Sequence, residues 1–316
     1  MALLRGYFKT VGWGDMSRLR VRVLGGLTVF VTPGAALPIA RSCLSVLGYL
    51  ITYRNRCISR IKLAETLWPN HDNEHARRSL STALWRLKKA TGSGPPLLTF
   101  RGGDEVSFNW EAPAWVDSVA LELRLQPLLR LKPDALKRDA LSRLQRGVRL
   151  YRGDYLIGID DEWAWLERQR LRNLYFDGLY HLTLAYAAMS DWVRVLEWGR
   201  HLNLEEPLRE DVHRLLMRAH ASSGNRAKAV AQYRQCQAIL HTELGVEPMA
   251  ETQDLYHQLI ASNAPETLPP PSAAPEPLLR LRRRIARLRR VLVSSEQQLD
   301  QAIDYLARAD LPQVND

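Results

Sequence analysis

The sequence predicts a mainly α-helical chain with small β elements, and three observations predict it. An alternating run and a Gly-Gly turn near the front read as a β-hairpin. A long middle stretch carries apolar residues at helical spacing and repeats itself after 34 residues. The positive charge is confined to one segment. The chain has 316 residues and a net charge of +10. Residues 18–110 hold 14 Lys/Arg against 5 Asp/Glu, whereas residues 111–264 hold 20 against 21. A segment that basic is expected to meet a polyanion, nucleic acid first and an anionic membrane second. A merely solvated basic surface would not confine the excess to one stretch.

In order along the chain, residues 1–17 read as a flexible tail without the continuous apolar stretch of a secretory signal. Leu19 to Leu24 alternates apolar and basic, Gly25-Gly26 turns, and Leu27 to Val31 returns as the second strand of a hairpin. Leu37 to Ile39 is expected as a third strand, and helices are expected at 41–54, 59–68 and 74–91. Leu97–Arg101 and Val106–Trp110 flank Gly102-Gly103 as a second hairpin. Two helices joined by a short turn and followed by a hairpin make a winged helix-turn-helix over 18–110.

Residues 111–263 read as a TPR-like domain that is almost wholly helical. Leu182 aligns with Leu216, Ala185 with Ala219, Ala187 with Ala221 and Val195 with Ala229, and the turn Ser190-Asp191 aligns with Gly224-Asn225. A helix-turn-helix unit of that period is the tetratricopeptide signature and predicts a short right-handed solenoid. Residues 264–277 contain Pro265, Pro269, Pro270, Pro271, Pro275 and Pro277 and read as a stiff linker. Over 278–309, Leu278, Leu281, Ile285, Leu288, Leu292, Ser295, Leu299, Ala302 and Leu306 recur three and four apart. This fits either a coiled coil or an amphipathic helix packed on the solenoid. The seven arginines between Arg280 and Arg290 read as its charged flank.

The third helix of the basic segment carries the functional expectation. Ala76, Leu80, Ala83, Leu84 and Leu87 form one apolar stripe, while Arg78, Thr82, Trp85 and Lys89 fall on the opposite side, flanked by Ser81, Arg86 and Lys88. Such a face suits the major groove: Arg grips guanine O6/N7, Thr meets an acceptor or a thymine methyl, and Lys neutralises phosphate. An exposed Trp on that face argues against a purely solvated helix. Arg78 and Thr82 are expected at bases, and Lys88, Lys89 and Arg101 at phosphates. In the preceding helix Ser59 is the expected N-cap, with Ile61, Ala64, Leu67 and Trp68 packing on the reading helix. Asp104 and Glu105 at the hairpin tip oppose strong wing contact.

These residues carry a resemblance. The segments LRVRVLGGLTVF, SRIKLAETLWPN and ARRSLSTALWRLKKATG resemble the amino-terminal half of the bacterial SARP family, with its OmpR/PhoB-like winged helix. The stretches LYRGDYLIGIDDEWAWLERQRLRNLY, PLREDVHRLLMRAHASSGNRAKAVAQYRQCQAIL and ELGVEPMAETQDLY resemble the bacterial transcriptional activation domain of the same family. The resemblance implies DNA binding by side-by-side protomers and activation through RNA polymerase. It places Arg78, Ser81, Thr82, Trp85, Arg86 and Lys89 at or near DNA, and Pro69, Asn70, His71, Asp72 and Asn73 at the polymerase. The wing RGGDEVSF lacks the family's Gly-Tyr, no nucleotide-binding ATPase module follows, and the linker and tail lie outside the match.

Enzyme chemistry is not expected. No Walker A, Gly-x-Ser-x-Gly or Cys-x2-Cys pattern occurs. His71 and His75 read as part of a polar helix cap rather than metal ligands, and Asp160, Asp161 and Glu162 as a helix start. Trp192 and Trp198 read as core. Three widely spaced cysteines fit a reducing cytoplasm. The expectation is a cytoplasmic DNA-binding regulator without cofactor or membrane partner, an activator, with the tail pairing two copies. The rival is a repeat-based interaction scaffold with a basic accessory module.

Overall fold

Leu19 and Val21 are buried while Arg20 and Arg22 are half-exposed, so the alternation of the first strand is realised as a one-sided surface. The computed structural model describes residues 19–31, 34, 36–54, 56–91 and 96–261. The amino-terminal tail, the proline linker and the heptad-like tail lie outside the described residues. β1 (Leu19–Arg22) pairs antiparallel with β2 (Thr28–Val31) around the Gly25-Gly26 turn. Leu37–Ile39 is not a strand. Phe30 bridges to Ala36, and Leu37 N–H donates to Val29 O at 2.8 Å. Among the described residues the pairing goes no further than Leu37.

Three helices follow: α1 (Arg41–Thr52), α2 (Arg60–Leu67) and α3 (Asn73–Thr91), with the two-residue strand β3 (Ile58–Ser59) before α2. β4 (Leu98–Arg101) and β5 (Glu105–Phe108) form the second hairpin, and β3 joins it to give the order β3-β5-β4. Ser59 stands at the N-cap of α2, but its side chain makes no capping bond. The strand pairing of Ser59 with Glu105 holds that corner instead, with Arg60 N–H on Asp104 O at 2.8 Å. Of the residues expected to pack from α2, Ala64, Leu67 and Trp68 do so and Ile61 does not. Leu63 and Ala64 are buried, whereas Ile61 is 48% exposed.

β6 (Ala114–Val116) then runs parallel to β1 and completes the first sheet in the order β2-β1-β6. α4 (Asp117–Leu129) starts directly from it. α5 (Arg138–Val148), α6 (Glu162–Ala188), α7 (Trp192–Glu205), α8 (Glu210–Ser222), α9 (Arg226–Leu244) and α10 (Ala250–Ala261) follow, successive helices packing on one another. The internal repeat is visible in the hydrogen bonds. Asp191 N–H reaches Tyr186 O at 3.0 Å, and Asn225 N–H reaches His220 O at 2.8 Å, the same closure one repeat later. Ser190 (φ 56°) and Gly224 (φ 72°) share the left-handed turn that ends the preceding helix. Leu182, Leu216, Ala185, Ala219, Val195 and Ala229 are all buried, and so is Trp198.

One continuous core extends from Leu19 through the three helices of the basic segment to Ala219 in α8. The 27-residue α6 makes this possible, because its first turn reaches α1: the rings of Trp163 and Tyr49 meet edge-on at 5.1 Å. A smaller cluster of Met217, Ala229 and Tyr233, backed by Leu255, Tyr256 and Leu259, closes the far end.

Candidate nucleic-acid interface

α3 is a 19-residue helix with one face in the core. Ala76, Leu80, Ala83, Leu84 and Leu87 are all buried, as the stripe predicts. The opposite face is open. Arg77, Arg78, Ser81, Thr82, Trp85, Arg86, Lys88 and Lys89 are exposed, Trp85 by 59%. An indole left that open beside cations is a platform for stacking or for sugar and methyl contacts. The Lys89 ammonium lies 5.0 Å from its ring centre, which steadies both side chains. Arg78 pairs with Glu74 one turn earlier. That pair is fully open to water, so a stronger anionic partner can replace Glu74 at little cost. Thr82 Oγ1 donates to Arg78 O at 3.0 Å, and the oxygen remains an acceptor toward solvent.

The start of α3 is built by Asp72. Its Oδ1 accepts the N–H groups of Glu74 (3.1 Å) and His75 (2.9 Å), and its Oδ2 meets His75 Nδ1 at 2.7 Å. The backbone bond from His75, then the bond from its ring, hold the Asp72 carboxyl below the usual range. His75 is thus part of the cap, His71 N–H donates to Trp68 O at 3.1 Å just before it, and no group of three or more His, Cys, Asp or Glu among the described residues could hold a metal ion. Pro69, Asn70, His71, Asp72 and Asn73 are all exposed on the loop that enters this helix.

Beside α3 stands the β4–β5 hairpin. Arg101, Gly102, Gly103, Asp104 and Glu105 are exposed, and Arg101 lies opposite Glu105 in the ladder. Gly102 and Gly103 have φ of +58° and +82°, a left-handed pair that a residue with a Cβ would adopt only under strain. Two features of this surface escaped the sequence reading. Phe100 at the base of the tip is 47% exposed. Arg60, the first residue of α2, extends between the hairpin and α3: its guanidinium donates to Gly103 O at 3.2 Å and to Ser81 Oγ at 3.0 Å. Nothing in the helical period of α2 singles out its first residue, because both acceptors come from elsewhere in the chain.

The surface is held by the helical segment behind it. Asp117, at the junction of β6 and α4, accepts the N–H groups of Val23 (2.8 Å) and Leu24 (3.1 Å) through its carboxylate. Glu122 on α4 pairs with Arg54 and Arg170, and Glu167 with Arg170, which ties the end of α1 to α4 and α6.

Residues 116–260 match the family model described as the bacterial transcriptional activator domain. Regulatory protein DnrI of Streptomyces peucetius is 25% identical over 270 residues, an alignment that takes in 78% of this chain and 93% of that protein. Over residues 116–260 the chain is similar to a bacterial transcriptional activator domain. Other relatives include regulatory protein AfsR of Streptomyces coelicolor (28% identical over 233 residues) and AfsR of Streptomyces griseus (25% over 247). The alignments cover 69% and 74% of this chain but only 22% and 23% of those longer proteins. The fold is also that of Mycobacterium tuberculosis EmbR, solved in complex with a low affinity phosphopeptide, with a TM-score of 0.62 at 21% identity, covering 78% of this chain and 65% of that one. Among the described residues no helix is long and apolar enough to cross a membrane.

Proposed function

We propose that the chain is a sequence-specific DNA-binding transcription regulator, an activator that places α3 in the major groove of promoter DNA and recruits RNA polymerase. One observation carries the reading: α3 buries its whole apolar stripe and leaves outward a continuous surface of Arg78, Thr82, Trp85 and Lys89, with Ser81, Arg86 and Lys88 beside it. Arg78 and Thr82 read bases. Lys88, Lys89 and, from the hairpin, Arg101 neutralise phosphates and supply most of the affinity. The exposed loop Pro69–Asn73 serves as the polymerase contact, and two protomers lie side by side on paired sites. The names of the AfsR and DnrI relatives, both regulatory proteins, support this reading.

The test is a salt series on duplex DNA. Binding is expected to fall steeply with salt, with a logarithmic slope of about −0.9 for each phosphate neutralised. A slope near zero, or unchanged binding after Arg78→Ala and Lys89→Ala, overturns the reading and favours a protein-binding scaffold with a basic accessory module.

A further inference from the structure

A winged helix engages DNA with two parts, the reading helix and the hairpin, and the distance between them must match the path from one groove to the next. Here the two are joined by a single side chain. The backbone N–H of Arg60 donates to Asp104 O at 2.8 Å, and its guanidinium donates to Gly103 O at 3.2 Å. The far nitrogen of the same fork donates to Ser81 Oγ at 3.0 Å. Ser81 in turn gives its own proton to Arg77 O at 2.9 Å, so its oxygen is committed to α3 on one side and to Arg60 on the other. The hairpin tip needs such a tether. Residues 101–105 are all exposed, and a Cβ built on Gly102 or Gly103 would meet nothing within 4 Å.

We propose that Arg60 is a positioning residue that latches the wing tip to the reading helix and so sets the spacing at which the two reach DNA together. The inference rests on the DNA-binding reading above and adds to it a determinant that is not itself a base contact. The planar fork matters as well as the charge, because its two outer nitrogens serve two acceptors on different elements. A lysine keeps the charge but offers one compact ammonium.

The test has two arms on the full chain. Without DNA, amide hydrogen exchange at residues 101–105 is expected to quicken roughly tenfold in Arg60→Ala while the buried turns of α3 keep their protection. Unchanged exchange at the tip overturns the latch, whatever the chain binds. With DNA, the duplexes that the wild-type chain selects from a random-sequence pool serve as the probe. Arg60→Ala is expected to weaken binding about tenfold and to remove the protection from hydroxyl radicals on the wing side, leaving that under α3. Arg60→Lys is expected to fall with Arg60→Ala; wild-type binding by Arg60→Lys would make the residue a phosphate contact and overturn the latch. In the exchange arm without DNA, Arg60→Ala combined with Ser81→Ala is expected to quicken the tip no more than Arg60→Ala alone, and additive effects would likewise overturn it. If the wild-type chain selects no duplex, the DNA-binding reading fails, and the exchange arm still decides whether the tether exists.

Discussion

Asp117 and Val23 stand 94 residues apart in the chain, yet the carboxylate of the first accepts the backbone N–H of the second at 2.8 Å inside the core. Leu24 and Ser118 add their N–H groups at 3.1 and 2.8 Å. The bond pins the turn after β1 to the first residue of the helical segment, so the basic module and the repeats are joined by a buried charge as well as by apolar packing.

Burial pushes the Asp117 carboxyl up to about 6, against the pull of the three N–H donors and of Arg152. Its ordinary value is 3.8, so between these limits the folded chain holds a proton that the unfolded chain has released. Its contribution to stability is full below pH 3.8 and is lost as the pH rises through about 6, by about 3 kcal/mol in all. Buried His213 acts in the opposite sense, because burial lowers its pKa and its contribution is lost toward acid. Denaturant midpoints of the wild type and of Asp117→Asn across pH 4–7 separate the two. The variant is expected to lose this part of the slope. At neutral pH it is expected to be less stable by about 1–3 kcal/mol, since an amide nitrogen then faces a backbone donor. Parallel curves would remove the assignment.

Arg168 holds the loop on which the first hairpin docks. Its guanidinium donates to Tyr155 O (2.8 Å), Leu156 O (3.1 Å) and Ile159 O (2.7 Å), while Leu156 N–H donates to Val23 O at 2.8 Å. Leu156 sits at φ 50°, a strained value that the bonds around it maintain. Arg168→Met is expected to lower stability by about 2–4 kcal/mol, and Arg168→Lys to recover less than half, since a lysine cannot serve three carbonyls in a fork. Thermal unfolding monitored by circular dichroism reads the loss.

The paired turns of the repeat predict opposite effects of complementary changes. Ser190 occupies the left-handed position that Gly224 occupies one repeat later. Ser190→Gly is expected to stabilise by about 0.5–1 kcal/mol. Gly224→Ala is expected to destabilise by about 1 kcal/mol although a Cβ there meets no neighbour, because the cost is conformational. Urea midpoints decide both signs.

On DNA, the cations of α3 separate by role. Lys88→Ala or Lys89→Ala is expected to weaken binding on all sequences alike and to reduce the salt slope by about one unit. Arg78→Ala is expected to cost about 1–3 kcal/mol and to relax preference at one base pair. Equal losses on selected and random duplexes for all three would deny Arg78 a base contact.

Much of this was legible in the residues. The alternation from Leu19 to Arg22, the stripe from Ala76 to Leu87 and the 34-residue echo between Leu182 and Leu216 all became buried faces at the expected phase. Periodicity succeeds there because each side chain's fate depends on its own element. It failed at Leu37–Ile39, which does not extend the pairing with β2 past Leu37, and at Ile61, which stays exposed while Ala64, Leu67 and Trp68 further along pack as expected. The tether through Arg60 and the junction at Asp117 could not be read at all.

By itself the sequence determined the two hairpins and the run of main helices, the confinement of positive charge to the front segment and the two-faced character of α3, since spacing and composition act locally. Only the tertiary structure decided that the front segment and the repeats share one core, that Asp117 closes their junction, and that Arg60 spans helix and wing. These are meetings between residues tens of positions apart, set by how helices and strands pack in space, and no period along the chain encodes them.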